Sequence, residues 1–368
     1  MDAAKLFEEL KTGDIYCLGH GKYFKNSTLP FLKSSGLLEN LRGFVEPDGK
    51  PVVLQDRSYD GIPLPELSRI SHEKTVLLIA VKGYREILSQ LRADAGLAHL
   101  TAIPSLYLEA LYEDKMMLSA KQAPAGFRKH EIPVIPKVIH AIWFSDNPLP
   151  GKYRQCLESW KKYAPDFEIK IWDLTSYQPE SCLFFEQAVS DRNWAFASDY
   201  ARADLLRRFG GIYMDLDVEM IRPIDDLIYN DAYMSFESLG RIECGSGMGA
   251  TKGNRIIDEI CKSYESRPYF KEDGTWDNST CPVRYTRVIE KHGLIKNGGF
   301  QFVEDITIYP FEVLTAKSFD TGIIYKTDRT CTVHHHNGTW VPTLARDAMK
   351  RRYQEIGELL QRESLWKK

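Results

Sequence analysis

The sequence predicts an α/β protein with two domains. At 368 residues the chain exceeds the usual size of one domain. Apolar residues make up 43% and charged residues 27% of it, which is ordinary for globular proteins and argues against long disordered or fibrous segments. Short apolar runs alternate with stretches of helical periodicity, the rhythm of βαβ units. A polar stretch between nearby prolines, 126–132, is the predicted linker between the two domains.

The first predicted domain covers residues 1–125. Apolar runs predict strands at 14–18, 41–45, 52–54, 75–81 and 99–103. Residues 84–92 predict a helix before the last of these strands. This order predicts a small α/β unit with a largely parallel sheet. The turn at Gly19 to Gly21 lacks the third glycine of the G-x-G-x-x-G phosphate-binding pattern, so it favours a plain strand-to-helix turn over a nucleotide site.

The second predicted domain covers 133–345 and opens with a strand at 138–144. Ligands of open α/β sheets bind at the carboxyl ends of strands, so Trp143 stands where a nucleotide base could stack. An aromatic residue at a strand end is also an ordinary packing residue. A helix and a second strand follow, and 346–368 is predicted as a C-terminal helix.

The most informative stretch lies between residues 198 and 220. Apolar residues recur at helical spacing over 198–209, and Asp199 and Arg202 lie three residues apart on one face near the helix start. Two glycines end this helix, and strict alternation then predicts a strand over 212–220. One face of that strand carries Tyr213, Asp215, Asp217 and Glu219.

Asp215 and Asp217 are predicted to bind a metal ion. Aspartate is disfavoured in strands, and neighbouring carboxylates on one face repel each other. A divalent cation removes that repulsion, because hard cations prefer carboxylate oxygens and leave positions free for phosphate oxygens. The alternative for this pattern taken alone is a solvated strand face without a metal.

Three ordered blocks of the sequence carry a longer pattern. Residues 135–143 fit I-P-K-x-I-H-x-x-W, and residues 198–217 fit S-D-x-x-R followed by G-G-x-Y-x-D-x-D at every fixed position. Residues 334–340 fit H-H-x-x-G-S-W, with Thr339 in place of serine. A fourth element at 279–282 is similar to T-G-P, with Cys281 in place of glycine. Together these blocks resemble the D-x-D glycosyltransferases of family 32 and, more distantly, the glucosylating domains of large clostridial toxins.

The resemblance implies a GT-A type catalytic domain, an α/β sandwich around a mixed sheet, behind a small Rossmann-like domain. It also implies a retaining, metal-dependent transfer of a hexose from a nucleotide sugar, with a UDP-sugar favoured over GDP-mannose and Mn²⁺ or Mg²⁺ as cofactor. The acceptor implied is a saccharide or a lipid-linked saccharide, as in the synthesis of bacterial capsule or surface polysaccharide.

The resemblance assigns a role to each matching residue. It implies that Asp199, Arg202 and Asp215 are catalytic and hold the donor sugar, with Tyr213 beside the ribose or sugar. The remaining residues implied to bind the nucleotide sugar are Trp143, Trp194, Ser198 and Trp340. Trp340 is also compatible with a packing role against the last helix.

The same resemblance implies a ligand set for the metal. Asp217 is the implied direct ligand, with Asp215 beside it. Among the histidines near the C-terminus His335 is the preferred additional ligand, because its H-x-x-G relation to Gly338 matches related transferases. His334 is the second choice.

Charge and composition bound the partners. The formal net charge of −3 offers no general attraction to nucleic acid or anionic lipid, so we expect no nucleic-acid partner and at most peripheral membrane contact. The first ten residues lack an apolar secretory core, and the seven scattered cysteines form no C-x-x-C pair. The sequence therefore predicts a cytoplasmic protein with reduced thiols.

Three other functions are compatible with the same residues. A toxin-like transferase that glycosylates a host protein uses the same motifs. A phosphoryl-transfer enzyme or nuclease also uses paired aspartates and a divalent metal, but it has no need of Asp199, Arg202 and Trp143. A nucleotide-sugar sensor or scaffold would bind the donor without turnover.

Overall fold

The computed structural model describes residues 1–54, 56–145, 147–338 and 343–366, and the chain divides into two compact units. Met1–Lys115 and Ala348–Lys368 form the first unit, and Met116–Asp347 forms the second. The observed division therefore differs from the predicted boundaries at both ends. Residues 116–125 group with the second unit, and the C-terminal segment groups with the first.

The first unit is a parallel sheet with helices between its strands. Its elements are α1 (Ala3–Leu10), β1 (Asp14–Leu18), a π-helical turn (Phe24–Thr28), α2 (Leu29–Ser34), β2 (Leu41–Val45), β3 (Val52–Leu54), β4 (Arg57–Ile62), α3 (Leu64–Ile70), β5 (Thr75–Ile79), α4 (Tyr84–Ala93), β6 (Thr101–Pro104) and α5 (Ser105–Leu118). The strand order is β3-β4-β2-β1-β5-β6, and β3 alone is antiparallel to its neighbour. This arrangement confirms the predicted small, largely parallel α/β unit.

The second unit has a mixed main sheet and contains more helices and strands than the first. They are β7 (Val138–Ile142), α6 (Arg154–Tyr163), β8 (Glu168–Trp172), α7 (Leu183–Ser190), α8 (Trp194–Phe209), β9 (Gly211–Met214), β10 (Val218–Met220), β11 (Ala232–Phe236), β12 (Ile242–Glu243), β13 (Ser246–Ala250), α9 (Arg255–Glu265), α10 (Cys281–Glu290), β14 (Gln301–Val303), β15 (Ile306–Tyr309), α11 (Phe311–Leu314) and β16 (Thr332–His334). The last helix, α12 (Thr343–Gln361), begins in this unit and ends in the first.

The main sheet of the second unit runs β14-β15-β11-β13-β9-β7-β8, with β12 beside β11. Strands β7, β8 and β9 are parallel, whereas β13 is antiparallel to both β9 and β11. Alternate strand residues enter two different cores: Ile212 and Met214 of β9 belong to one, and Tyr213 belongs to the other. The sheet is therefore covered on both faces, as the predicted α/β class requires.

The predicted linker lies along the second unit. The backbone N–H of His130 donates to the carbonyl of Tyr229, and the N–H groups of Val134 and Ile135 donate to that of Ile228. These bonds tie the segment before β7 to the 3₁₀ turn at Asp225–Tyr229.

The predicted strand over 212–220 is wrong in one respect, because it is interrupted. Its alternation is real: Ile212, Met214, Leu216, Val218 and Met220 are all buried. However, β9 ends at Met214, and the N–H of Val218 closes a turn on the carbonyl of Asp215 at 3.0 Å. The chain then leaves the main sheet, and β10 pairs antiparallel with β16, with Val218 opposite His334. The two aspartates thus lie on a turn between two strands.

Candidate metal and sugar site

Helix α8 and the turn after β9 bring the central polar residues together. Nearly all of α8 is buried, including Asp199 and Arg202. The helix ends at Gly210, and β9 begins at Gly211, whose φ is +101°. A Cβ atom at Gly211 would lie 2.7 Å from the carbonyl oxygen of Val138, so this entry into the sheet requires glycine. The backbone thus turns sharply after α8 and leads through β9 to Asp215.

Asp215 is held by residues on both sides of it in sequence. The Tyr213 hydroxyl donates to Asp215 Oδ1 at 2.6 Å, and Arg202 Nη1 lies 3.5 Å from Asp215 Oδ2. A Cβ atom at Gly245 would lie 2.0 Å from Asp215 Oδ2, so the carboxylate fits only against a bare backbone. The position of the Asp215 carboxylate is therefore set by three neighbours.

Asp217 and His334 complete a group of three potential ligands. His334 Nε2 lies 3.2 Å from Asp217 Oδ1 and 3.9 Å from Asp215 Oδ2. One ligand atom from each of the three residues lies within 4.8 Å of the others. Two carboxylates and one imidazole nitrogen at these distances can converge on a single divalent cation.

The electrostatics of this group favour a bound cation. Burial opposes the charge of Asp217, but the His334 imidazole and the N–H of Asn337 outweigh it and hold the pKa of the carboxyl well below its usual range. Burial likewise lowers the pKa of His334, but Asp217 and Glu243 outweigh it and raise the pKa well above its usual range. Protonated His334 thus compensates the carboxylates, and a divalent cation would take over that compensation.

The preference for His335 as the metal ligand does not agree with this geometry. His335 Nε2 lies 3.1 Å from Glu219 Oε2, while its backbone N–H donates to the carbonyl of Asp217. The reason is strand alternation, because His334 ends β16 and adjacent side chains of an extended chain point in opposite directions. His336 returns to the His334 side, where the two ring centroids lie 4.1 Å apart.

Arg202 is fully occupied by protein groups. Its Nε–H donates to the Ser198 carbonyl, and its terminal nitrogens reach Ser198 Oγ, the Cys244 carbonyl, Asp199 Oδ1 and Asp215 Oδ2 at 3.1 to 3.5 Å. A guanidinium has five N–H donors, and five acceptors surround this one. The guanidinium also lies over the Tyr213 ring, 4.8 Å from its centroid. Arg202 therefore holds Asp199 and Asp215 in place.

The two tryptophans predicted to line one nucleotide pocket pack in different places. Trp143 follows β7, donates its indole N–H to the Asn147 carbonyl and lies 5.5 Å from the Tyr153 ring. It packs against the core that contains Ile212, whereas Trp194, at the start of α8, packs against the other core. Trp340 and Thr339 lie outside the described residues.

Several site residues were not found by sequence reasoning. Glu243 lies 3.4 Å from His334 Nδ1, Ser246 Oγ lies 3.2 Å from the same atom, and Cys281 opposes the rise in the pKa of Asp199. Glu243 stands between Ile242 and Cys244, and a lone acidic residue in an apolar run is a weak signal of burial. Their proximity to the aspartates depends on strand pairing that local patterns do not specify.

Asp199 gives a prediction for the pH dependence of stability. Burial raises the pKa of Asp199 to about 6, although Arg202 and Cys281 oppose the shift. The native state thus holds a proton that the unfolded chain releases near pH 3.9, so this group makes stability fall as pH rises from about 4 to about 6. We expect Asp199→Asn, which cannot ionise, to gain stability relative to wild type as pH rises over this range.

Denaturant unfolding of both proteins at pH 4, 5, 6 and 7 tests the sign. Asp173→Asn is the matched control, because hydrogen bonds from Thr175 and Ser176 lower the pKa of Asp173. Its contribution to stability is lost only as pH falls below the unfolded pKa near 3.9, so between pH 4 and pH 7 the difference in stability between this control and wild type should stay nearly constant. Stability curves of wild type and Asp199→Asn that stay parallel would contradict the assignment.

Comparison with known proteins identifies the region around this site. Residues 150–234 match the family described as "Glycosyltransferase sugar-binding region containing DXD motif". This match includes α8 and both aspartates. Among the described residues, every helix is too short or too polar to cross a lipid bilayer.

Several known proteins are similar in sequence to part of this chain. "Inositol phosphoceramide mannosyltransferase 3" of Schizosaccharomyces pombe is 29% identical over 140 residues, which are 35% of this chain and 37% of that protein. "Subversion of eukaryotic traffic protein A" of Legionella pneumophila is 28% identical over 174 residues, 37% of this chain and 27% of that protein. The chain thus spans little more than a third of the length of the first of these relatives. The solved structure "PaToxG Glycosyltransferase" has a TM-score of 0.34 at 17% identity and covers 50% of this chain and 77% of its own.

Proposed function

We propose that this chain, which carries a DXD glycosyltransferase sugar-binding region, is a metal-dependent glycosyltransferase that moves a hexose from a nucleotide sugar to a saccharide. The observation that carries the proposal is that Asp215 and Asp217, inside the matched region, lie together with His334, from outside it, with one ligand atom of each residue within 4.8 Å of the others. Both carboxylates are partly buried, and in the absence of a metal their negative charge is compensated by Arg202 and His334, whose place beside them a cation could share.

Mn²⁺ is the metal that best fits the ligands. Two carboxylates suit Mg²⁺ and Mn²⁺ alike, whereas an imidazole ligand favours a transition metal. When bound, the cation supplies positive charge to the diphosphate leaving group, which then departs without being protonated. Asp215, Asp217 and His334 would hold it, and we propose them as the ligand set in place of one that contains His335.

The sugar end of the donor would lie toward Asp199, Arg202 and Tyr213. Asp199 and Asp215 offer carboxylate oxygens to sugar hydroxyls, and Arg202, whose N–H groups face protein acceptors, fixes both carboxylates. Fixed orientation of the reacting ring lowers the barrier by removing entropy before the chemical step. We propose retention of the anomeric configuration on the strength of the family resemblance, with front-face attack and a covalent carboxylate intermediate as the two routes.

The names of the relatives bear on the substrates. The yeast relative is a mannosyltransferase by name, which supports GDP-mannose as a donor beside the UDP-hexoses. Its acceptor is a lipid by name, and this supports a lipid-linked acceptor. We propose that the transfer takes place in the synthesis of bacterial capsule or surface polysaccharide.

A second candidate is a transferase that modifies a protein of another organism. The observation that favours it is the similarity to the Legionella protein, whose name refers to subversion of eukaryotic traffic. Incubation with labelled donor and either a eukaryotic cell lysate or bacterial lipid extracts separates the candidates, because label enters protein in the first case and lipid in the second.

All residues proposed for the chemistry belong to the second unit. Residues 116–347 include both aspartates, Asp199, Arg202 and His334. We propose that the first, Rossmann-like unit binds the acceptor or a partner enzyme or forms a dimer contact. We also propose that donor hydrolysis does not require its residues.

A donor screen tests the proposed function. Nucleotide sugars with and without Mn²⁺ are compared for thermal stabilisation and slow hydrolysis, and a donor at one hundred times its Kd should stabilise the fold by about 2.7 kcal/mol. A transferase releases a nucleoside diphosphate and free sugar. Release of a nucleoside monophosphate and a sugar 1-phosphate would indicate phosphoryl transfer instead, and binding of every donor without hydrolysis would indicate a sensor.

A further inference from the structure

Glu243 lies on the far side of His334 from the two aspartates. It ends the short strand β12, opposite Ser235 of β11, and only 7% of it is exposed. Glu243 Oε1 accepts the backbone N–H of Gly245 at 2.8 Å and lies 3.4 Å from His334 Nδ1. The imidazole of His334 thus has a carboxylate at each nitrogen: Glu243 at Nδ1 and Asp217 at Nε2, 3.2 Å away.

We infer that Glu243 is a positioning residue that orients His334 as a metal ligand; this inference rests on the metal site in the proposed function. A histidine binds metal through an unprotonated nitrogen, so its remaining proton must sit on the other one. Ser246 Oγ lies at hydrogen-bond distance from Nδ1, 3.2 Å, and the Glu243 carboxylate forms an ion pair with the same nitrogen at 3.4 Å, so the proton is favoured on Nδ1. Nε2, which faces Asp215 and Asp217, is then left with its lone pair free.

The backbone supports this orientation. The N–H of Gly245 fixes the Glu243 carboxylate, while the carbonyl of Gly245 accepts the N–H of Asp215 at 2.8 Å. One residue therefore links the orienting carboxylate to a metal ligand. The ring of His336, 4.1 Å from that of His334 between centroids, packs against it and limits its rotation.

Mn²⁺ binding to the full chain, measured by electron paramagnetic resonance with Mn²⁺ alone, tests the inference. Removing the partner that orients a ligating histidine typically lowers metal affinity by about 10- to 100-fold. We expect a loss of that size for Glu243→Ala and a smaller loss for Glu243→Gln, which keeps an acceptor oxygen but no charge. Mn²⁺ affinity equal to that of wild type in both variants would overturn the role of Glu243.

Glu237→Gln is the matched control. Glu237 is also 7% exposed and lies just after β11, but burial and then Glu243 raise its pKa to about 8. Its carboxyl is therefore largely protonated at neutral pH, so glutamine changes little and Mn²⁺ affinity should match wild type. If wild type itself does not bind Mn²⁺, the metal site of the proposed function fails and the inference fails with it. If wild type binds Mn²⁺ and both Glu243 variants bind it with the same affinity, only the inference about Glu243 fails and the metal site stands.

A second measurement needs no variant and so does not depend on whether one folds. In wild-type protein with ¹⁵N-labelled histidine and saturating Zn²⁺, a diamagnetic cation that binds imidazole, the ring nitrogens of His334 report which of them carries the proton. We expect the proton on Nδ1 and none on Nε2. A proton on Nε2 in the Zn²⁺-loaded protein would overturn the inference.

Discussion

Asp217→Asn should lower turnover by a factor on the order of 10³ and abolish most metal-dependent donor binding. The substitution is isosteric but removes the charge that would hold the cation, and the charge stabilisation that a cation gives the leaving group is worth several kcal/mol, about 1.4 kcal/mol for each factor of ten. Donor hydrolysis and Mn²⁺ affinity measured on the same preparations check both parts.

The same variant has a predicted effect on stability. In the absence of metal, Asp217 accepts the N–H of Asn337 at 2.8 Å and lies beside protonated His334, so its charge stabilises the fold. Because the pKa of this carboxyl is lowered by folding, that contribution is present at pH above about 3.9 and is lost as pH falls. We therefore expect a modest loss of stability at pH 7, although repulsion between Asp215 and Asp217 alone would have predicted a gain.

Adjacent histidines provide the control for this prediction. His334→Ala should weaken Mn²⁺ binding, whereas His335→Ala, whose side chain contacts Glu219, should leave Mn²⁺ affinity near that of wild type. Full transfer activity in Asp217→Asn, or a larger effect from His335→Ala than from His334→Ala, would contradict the site.

The contrast between these histidines shows what local sequence can and cannot predict. The apolar alternation from Ile212 to Met220 correctly predicted which residues are buried, since burial of every second residue is a local property. The choice between His334 and His335 depends on register, because Val218 pairs with His334 across more than one hundred residues of chain. A shift of one residue would exchange their faces, and no local pattern in either strand sets that register.

Turns and long-range partners account for the other differences. The strand over 212–220 was predicted as continuous because alternation persists through Asp215 and Asp217, yet the N–H of Asp215 pairs with Gly245 and the chain turns away. Glu243 enters the site through the pairing of β12 with β11. The residues that contact the substrate in the proposal could be found from a motif, whereas those that hold them in position required the fold.

Arg202→Lys should lower donor hydrolysis and transfer by about 10²- to 10³-fold while changing affinity for the free nucleoside diphosphate by less than about threefold. Lysine keeps the charge but replaces a planar fork of five donors with three, so it cannot hold both Asp199 and Asp215. Loss of a comparable preorganised interaction costs about 2.7–4 kcal/mol in the transition state. Arg202→Ala would leave the buried Asp199 carboxylate without its ion-pair partner and destabilise the fold by about 3–5 kcal/mol, which makes lysine the cleaner test.

Arg207→Lys is the control on the same helix, because Arg207 pairs with buried Asp204 at 2.7 Å and with Glu265 at 2.8 Å and should affect stability without affecting turnover. Calorimetry with nucleoside diphosphate and a hydrolysis assay separate the two readouts. If Arg202→Lys loses diphosphate affinity in parallel with turnover, Arg202 binds phosphate, and its role in fixing the two carboxylates is wrong.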